Sequence, residues 1–272
     1  MSERPIHSDS RISIRRRLWL AVIAGAFFFA PAHTPLYAQT QAPVVRVAAA
    51  ADLEPLLPAV LANYERETGQ HVEASFASSA TLATQIENGA PFDVFMAANM
   101  AFPEKVAHDG FAAAGSSVAP YARGTLVLWT RNQSGVQQLT MQELASPRIH
   151  TIAIANPQHA PYGHAAMQAL TNLALLPAVQ SKLRTAENIA QAAQFASTGN
   201  TDVGLISLTS ALTLTAQGHY IAVPQSAYSP ILQGAVALKG GANAKGAADF
   251  LRYLHSPAVA QQLQRGGLAP AR

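Results

Sequence analysis

Short apolar runs alternate along this chain with segments in which apolar residues recur at helical spacing. Residues 44–47 and 71–76 have the pattern of strands, whereas residues 53–64 repeat apolar positions every three or four residues. The same criteria predict further strands at 92–97, 125–130, 151–155, 203–206 and 235–238, and further helices at 79–88, 102–108, 140–145, 162–175, 188–196, 247–254 and 258–264. Strands and helices in alternation predict an α/β protein with helices on the faces of its sheets.

The first 38 residues have a different pattern, which is typical of an export signal. Four arginines between Arg11 and Arg17 precede an apolar run at 18–30, and Ala38 ends a segment suited to cleavage. The apolar run is shorter than the roughly 20 residues of a membrane span, and Pro31 ends it. We therefore predict a signal peptide over residues 1–38, with the Sec and twin-arginine export routes both left open.

Removal of this segment changes the charge of the chain. The full sequence carries 18 basic and 15 acidic residues, and residues 1–38 hold five of the basic and two of the acidic ones. The remaining chain is neutral, so it has no electrostatic signature of a protein that binds nucleic acid or an anionic membrane surface. The sequence contains no cysteine, which excludes disulfides, thiolate metal sites and a cysteine nucleophile.

Candidate chemistry lies where predicted strands give way to helices. Four such junctions, at residues 50–52, 77–79, 160–163 and 186–189, are rich in small, hydroxyl or capping residues. The start of a helix presents free backbone N–H groups and the positive end of the helix dipole, so several starts aimed at one point can bind an anion. Taken singly, each junction is better explained as an ordinary capped helix than as an anion site.

Four ordered segments resemble the periplasmic molybdate-binding proteins of ABC transporters. They read VRVAAAADL from Val45, SFASSATLATQIENGAPFDVFMAAN from Ser75, IAIANPQHAPYGHAAMQAL from Ile152 and AENIAQAAQFASTGNTDVGLISLTSAL from Ala186. The resemblance extends over the whole chain after the signal peptide. It implies a protein that captures molybdate, and also tungstate, in the periplasm and delivers it to the membrane permease of an ABC importer.

The resemblance also implies an architecture. We expect a type II periplasmic-binding-protein-like fold of two α/β lobes, each with a mixed, mainly parallel sheet, and a ligand cleft between the lobes. Lobe 1 is predicted to comprise residues 43–122 and 223–272, and lobe 2 residues 123–222. The protein is expected to be a monomer without a cofactor and without enzymatic activity, and the molybdenum is bound only as its oxyanion.

Five residues are carried over as ligand-binding candidates, namely Asp52, Ser79, Tyr162, Ile189 and Ser207. Ser79 is expected to donate its hydroxyl and backbone N–H to the anion, and Ile189 its backbone N–H. Ser207, the weakest candidate, stands where some members have a tyrosine that touches the ligand.

Asp52 and Tyr162 depart from one form of the family. A carboxylate beside a dianion is repulsive. We therefore predict that the Asp52 side chain caps its helix by accepting from the N–H of Glu54 or Leu56, while its own N–H faces the ligand. Tyr162 is predicted to supply a phenolic hydroxyl in place of the tyrosine missing at Ser207.

Three alternatives remain. Ser78 or Ser79 with a histidine and an aspartate (His159 or His164, Asp93 or Asp202) could form a hydrolase triad, although no Gly-x-Ser-x-Gly sequence surrounds either serine. The nine histidines could indicate a metal-ion carrier, but His159 and His164 are five positions apart, which is off-face for a helical ligand pair. The third alternative keeps the class and changes the ligand to sulfate or phosphate.

Overall fold

The computed structural model describes residues 43–136 and 138–271. The predicted signal peptide lies outside the described residues. Two five-stranded sheets organise the described chain, one with the strand order β2-β1-β3-β10-β4 and the other with the order β7-β6-β8-β5-β9. The strands are β1 Val45–Ala50, β2 Val72–Ala77, β3 Val94–Ala97, β4 Ala119–Gly124, β5 Leu126–Arg131, β6 Ile152–Ala155, β7 Leu183–Ala186, β8 Val203–Ser207, β9 Gly218–Ala222 and β10 Ile231–Ala237.

Helices flank both sheets, as the alternating pattern predicts. They are α1 Leu57–Thr68, α2 Ser79–Glu87, α3 Ala101–His108, α4 Pro161–Asn172, α5 Leu176–Val179, α6 Ile189–Thr198, α7 Leu208–Thr213, α8 Ala244–Leu254 and α9 Pro257–Arg265. Short 3-10 helices occupy Ala51–Leu53, Gln142–Ala145, Gln180–Lys182 and Gln225–Ala227. Among the helices of the described ranges, none combines the length and apolar character that a membrane crossing needs.

The two sheets share one pattern of strand directions. β1 runs parallel to β2 and β3, and β6 runs parallel to β7 and β8. β10 is antiparallel to its neighbours in the first sheet, and β5 is antiparallel to its neighbours in the second. Each of these reversed strands is the one that the chain enters after it crosses from the other sheet. The architecture is the predicted pair of mixed α/β lobes.

The chain crosses between the sheets at two points. Only Thr125 separates β4 of the first sheet from β5 of the second, and the return runs from β9 to β10. Arg123 and Gly124 therefore belong to a strand of the first sheet. On the return, Val223 and Tyr228 pack in the apolar core of the second lobe before the chain enters β10.

Both faces of the first sheet are buried, which explains why its central strands are almost wholly apolar. In β1, Val47 and Ala49 pack against α1, α8 and α9, whereas Ala48 points to the opposite face with Leu82 of α2. Parallel strands covered by helices on both faces need apolar residues at every position. The small residues of the stretch from Ala48 to Ala51 are thus core residues that also let the chain turn sharply into the next helix.

The helix predicted over 53–64 begins later than its apolar spacing indicates. The chain first forms the 3-10 helix Ala51–Leu53, and α1 begins at Leu57 with Pro58 in its first turn. Pro55 has no N–H to give to a continuous helix, so the two segments are separate. At the other end, Gly69 has φ of 71° and stops α1 as predicted, because glycine adopts this left-handed conformation without strain.

Candidate oxyanion-binding site

The predicted ligand-binding residues lie at the carboxyl ends of strands, where open α/β sheets bind their ligands. Asp52 follows β1, Ser79 follows β2, Tyr162 lies in the helix after β6, and Ile189 begins the helix after β7. Ser207 ends β8. All five are buried, with exposed fractions of 0% to 3%.

Contacts between the lobes bring these junctions together. The Tyr162 hydroxyl donates to Asp52 Oδ2 at 3.0 Å, and Ala80 N–H at the start of α2 donates to the His159 carbonyl at 3.1 Å. Thr209 Oγ1 of α7 donates to the Asp52 carbonyl at 2.7 Å, and the 3-10 helix that holds Asp52 also packs against α6. The starts of α2, α4, α6 and α7 therefore converge on the segment around Asp52.

Ser79 keeps a hydroxyl proton that it can donate. Its Oγ accepts the N–H of Ala98 at 3.0 Å, which uses one lone pair, and no group among the described residues accepts its hydroxyl proton. The neighbouring Ser78 has a different task, because its Oγ accepts the N–H of Thr81 at 3.2 Å and caps α2. Of the two adjacent serines, Ser78 caps the N-terminus of α2, and Ser79 has a hydroxyl donor in the first turn of this helix.

The starts of α4 and α6 offer backbone donors. Tyr162 and Ile189 lie in the first turn of helices of 12 and 10 residues, where backbone N–H groups have no acceptor within the helix. Asn188 caps α6 by accepting the N–H of Gln191 at 3.0 Å, which leaves the N–H of Ile189 outside the cap. A Cβ on Gly163 would lie 2.2 Å from the carbonyl oxygen of Ala155, so glycine lets α4 begin directly against the end of β6.

Asp52 is a buried carboxylate that binds side chains from distant elements. Its Oδ2 accepts from the Tyr162 hydroxyl and from Gln233 Nε2, whereas its Oδ1 is enclosed without a hydrogen-bond partner among the described residues. Burial raises the pKa of Asp52 from 3.8 to about 6, against the lowering effect of the Gln233 and Tyr162 hydrogen bonds. The buried polar residues of the described chain include neither lysine nor arginine.

Gln233 and Tyr121 complete this polar network, and neither is among the residues predicted for the site. The Tyr121 hydroxyl donates to Gln233 Oε1 at 2.7 Å, which orients the amide so that Nε2 reaches Asp52. Burial, with the charge of Asp52 as a second cause, raises the pKa of Tyr121 and of Tyr162 well above the ordinary value, so both phenols stay protonated. The available signal was Gln233 itself, a lone amide inside the otherwise apolar strand β10.

Two predictions about the departing residues are wrong. The Asp52 carboxylate does not cap its helix, since Glu54 N–H donates to the Ala51 carbonyl and Leu56 N–H to the Leu53 carbonyl. The Tyr162 hydroxyl is not a free donor for a ligand, because it donates to Asp52. The reason is the same in both cases: the hydrogen-bond partners of each side chain lie far away in the sequence, Tyr162 on the other lobe and Gln233 on β10, and local sequence rules do not include them.

Ser207 lies next to the network but uses its hydroxyl locally. Its Oγ accepts the N–H of Ser210 at 3.2 Å as the cap of α7, and it donates to Ser210 Oγ at 2.9 Å. It also contacts Thr209 Oγ1 at 2.8 Å, and Thr209 in turn reaches the Asp52 carbonyl. Ser207 thus anchors the helix that meets Asp52.

The arrangement does not assemble the alternative sites. Within residues 43–136 and 138–271, neither Ser78 nor Ser79 is hydrogen-bonded to a histidine, as a hydrolase triad would require. His159 meets α2 through its backbone carbonyl instead. The same ranges contain no group of three or more histidine and acidic side chains that could hold a metal ion.

Comparison with known proteins assigns the fold to one family. Residues 45–269 match the family model described as bacterial extracellular solute-binding protein. The chain belongs to this family. It is 38% identical over 230 residues to the molybdate-binding protein ModA of Azotobacter vinelandii. The aligned residues cover 84% of this chain and 90% of that protein. It is 35% identical over 204 residues to ModA of Rhodobacter capsulatus, over 75% of this chain and 79% of the relative.

A solved structure of a solute-binding protein has the same architecture over its whole length. The periplasmic molybdate-binding protein of Azotobacter vinelandii superposes with a TM-score of 0.78 and 32% identity, covering 84% of this chain and 100% of that chain. Members of this family are solute-binding proteins rather than enzymes. The converging helix starts lie where the two lobes of such a protein meet.

Proposed function

We propose that this protein captures molybdate in the periplasm and delivers it to the permease of an ABC importer. Tungstate, an oxyanion of nearly the same size, is included in the proposal. The protein acts as a monomer, without a cofactor and without catalysing a reaction. The observation that carries the proposal is the hydroxyl proton of Ser79, which has no acceptor among the described residues and lies at a helix start that converges on those of α4 and α6.

The choice of neutral donors suits a carrier. A buried arginine would bind any small dianion strongly, because its attraction to the charge is insensitive to anion size. Backbone N–H groups and one hydroxyl on rigid helix starts respond to the number, direction and distance of the acceptor oxygens. Discrimination between tetrahedral acceptor-only anions such as molybdate and sulfate then rests mainly on the size of the site.

Isothermal titration calorimetry of the purified protein with molybdate, tungstate, sulfate and phosphate tests the proposal. We expect tight binding of molybdate and tungstate and weak binding of the smaller anions. Ser79→Ala removes one hydrogen bond to a charged group, which contributes about 1.5–3 kcal/mol, so the dissociation constant should rise tenfold or more.

Ser78→Ala is the matched control. It removes the cap of α2 and lowers stability by about 1 kcal/mol, but it leaves the donor of Ser79 in place and should change affinity much less. Equal loss of affinity in the two variants would contradict the assignment of Ser79. Sulfate binding as tight as molybdate binding would contradict the choice of ligand.

A second ligand has one observation in its favour. Hydrogen phosphate carries a proton that an ionised Asp52 could accept through its unpaired Oδ1. Competition of phosphate against bound molybdate at equal concentration tests this alternative, and displacement of most of the molybdate would favour phosphate.

A further inference from the structure

One carboxylate oxygen of Asp52 is buried but accepts no hydrogen bond from the described residues. Oδ2 has two donors, from Gln233 and Tyr162, whereas Oδ1 is equally enclosed and has none among the described residues. An enclosed acceptor without a donor is unfavourable, and an ionised carboxylate in this position is more so. The unpaired oxygen belongs to the segment on which four helix starts converge.

No cation balances this carboxylate from the elements packed around it. Tyr162 of α4 and Tyr121 of β4 are the titratable groups that face Asp52 within the described ranges, and both are neutral phenols. β10 contributes Gln233, and α6 and α7 contain no charged residue. The arrangement therefore supplies an ionised Asp52 with hydrogen bonds on one oxygen but with no opposite charge.

We propose that Asp52 binds the oxyanion as a neutral carboxylic acid, with the proton on Oδ1 donated to an oxygen of the dianion. Oδ2 is then the carbonyl oxygen of the acid, which accepts from Gln233 and Tyr162 as it does in the structure. The proton comes from solvent, one O–H bond forms at Asp52, and no bond of the anion breaks. Capture of one dianion thus takes up one proton when Asp52 is ionised in the empty protein. This inference rests on the proposed function.

The raised pKa of Asp52, about 6, agrees with this geometry. Below that pH the acid is already protonated, so affinity does not depend on pH. Above it, the empty protein must first take up a proton, and the dissociation constant rises by up to tenfold for each pH unit. The dependence ends only where the pKa of Asp52 in the complex is reached.

Calorimetry with micromolar molybdate between pH 6 and pH 8 tests the inference, with each titration repeated in two buffers of different ionisation enthalpy. The difference between buffers measures the protons taken up. We expect an uptake near one proton per anion at pH 8, about half at pH 6, and a dissociation constant that rises about fiftyfold over this range.

Asp52→Asn is the decisive variant. Its amide oxygen can accept from Gln233 and Tyr162, and its NH₂ group then stands where the acid proton would be. We expect its affinity to change less than twofold between pH 6 and pH 8, with no proton uptake, and to exceed that of the unmodified protein at pH 8. Ser79→Ala should bind more weakly at every pH while its proton uptake stays near one at pH 8.

The outcomes separate the two proposals. Molybdate binding without proton uptake and without pH dependence overturns the role of Asp52 and leaves the proposed function intact. Weaker binding by Asp52→Asn at every pH, in a variant whose thermal unfolding shows it to be folded, overturns that role as well. Failure of the unmodified protein to bind molybdate at any pH overturns the proposed function. Phosphate, which already carries a proton near neutral pH, should bind without uptake if it meets an ionised Asp52.

Discussion

Asp52 and Asp93 are both buried aspartates at the ends of strands in the same sheet, yet their surroundings differ. Asp93 is 1% exposed, and each of its oxygens accepts a backbone N–H, one from Arg46 at 2.7 Å and one from Asn243 at 2.7 Å. Asp52 is 0% exposed, and only one of its oxygens is paired, with side chains on β10 and α4.

The difference shows how a buried aspartate that stabilises the fold can be told from one that is a candidate for ligand binding. Two backbone donors bind the two oxygens of Asp93, so this side chain joins β1 to the loop before α8 and stabilises the fold. Asp52 lies at the carboxyl end of its strand, against the other lobe, with a donor missing. Burial and residue type are the same, so the pairing of the second oxygen is what distinguishes them.

The largest expected effect on stability comes from replacing Asp93, like Asp52, by asparagine. In Asp93→Asn one backbone N–H faces an NH₂ group instead of an acceptor, and one hydrogen bond to a charge is lost. We expect a loss of about 4 kcal/mol in the free energy of unfolding, measured by urea denaturation at pH 7. A loss below about 1 kcal/mol would show that the two aspartates do not differ as described.

Asp52→Asn should have the opposite effect on the free energy of unfolding of the ligand-free protein at neutral pH. Because the folded-state pKa of Asp52 is raised from 3.8 to about 6, the stability that its protonation contributes is complete below 3.8 and is lost as the pH rises to about 6. The asparagine side chain does not ionise, so the variant does not lose this stability as the pH rises. Its stability relative to the unmodified protein should therefore increase by roughly 2 kcal/mol between pH 4 and pH 7.

Urea denaturation of both proteins at the two pH values measures this increase. Asp93→Asn provides the matched control. At pH 7 it should be less stable than the unmodified protein, whereas Asp52→Asn should gain stability relative to that protein as the pH rises. A relative stability of Asp52→Asn that is the same at pH 4 and pH 7 would show that the buried carboxylate is not strained by ionisation.

Gly124→Ala should disturb the paired oxygen of Asp52. A Cβ at this position would lie 2.1 Å from the Tyr162 hydroxyl and 3.2 Å from Gln233 Nε2. Displacing the phenol costs about 2 kcal/mol of stability and raises the pKa of Asp52 further, because a hydrogen bond that favours the charged form is lost.

A double-mutant cycle with Tyr162→Phe measures this coupling. Removal of the hydroxyl should relieve part of the clash, so the two changes together should cost less than their sum. Strict additivity would mean that the space around the Tyr162 hydroxyl is not what requires glycine at position 124.

The smallest expected effect concerns Ser207. Its hydroxyl caps α7, so Ser207→Ala should lower the free energy of unfolding by about 1 kcal/mol. We expect molybdate affinity to stay within twofold, in contrast to the loss in Ser79→Ala. A tenfold loss of affinity by calorimetry would instead place Ser207 in contact with the ligand.

Much of the fold could be predicted from local patterns. The central strands and most helices were placed within a few residues, because burial on both faces or on one helical stripe leaves a periodic apolar signal. The strands that were missed, β4, β7 and β9, all lie at sheet edges. Edge strands carry polar residues and proline, such as Pro120 in β4, and they lose the apolar signature that marks a buried strand.

The sequence by itself determined the α/β class, the caps of α2 and α6 and the assignment of Ser79 and Ile189 to first turns, because these depend on residues within a few positions of one another. Only the tertiary structure decided which groups the Asp52 side chain contacts. Its partners Tyr162 and Gln233 are 110 and 181 positions away, on the other lobe and on the returning strand β10. A local pattern records whether a residue is buried, but the donors that reach a buried oxygen depend on how distant elements pack.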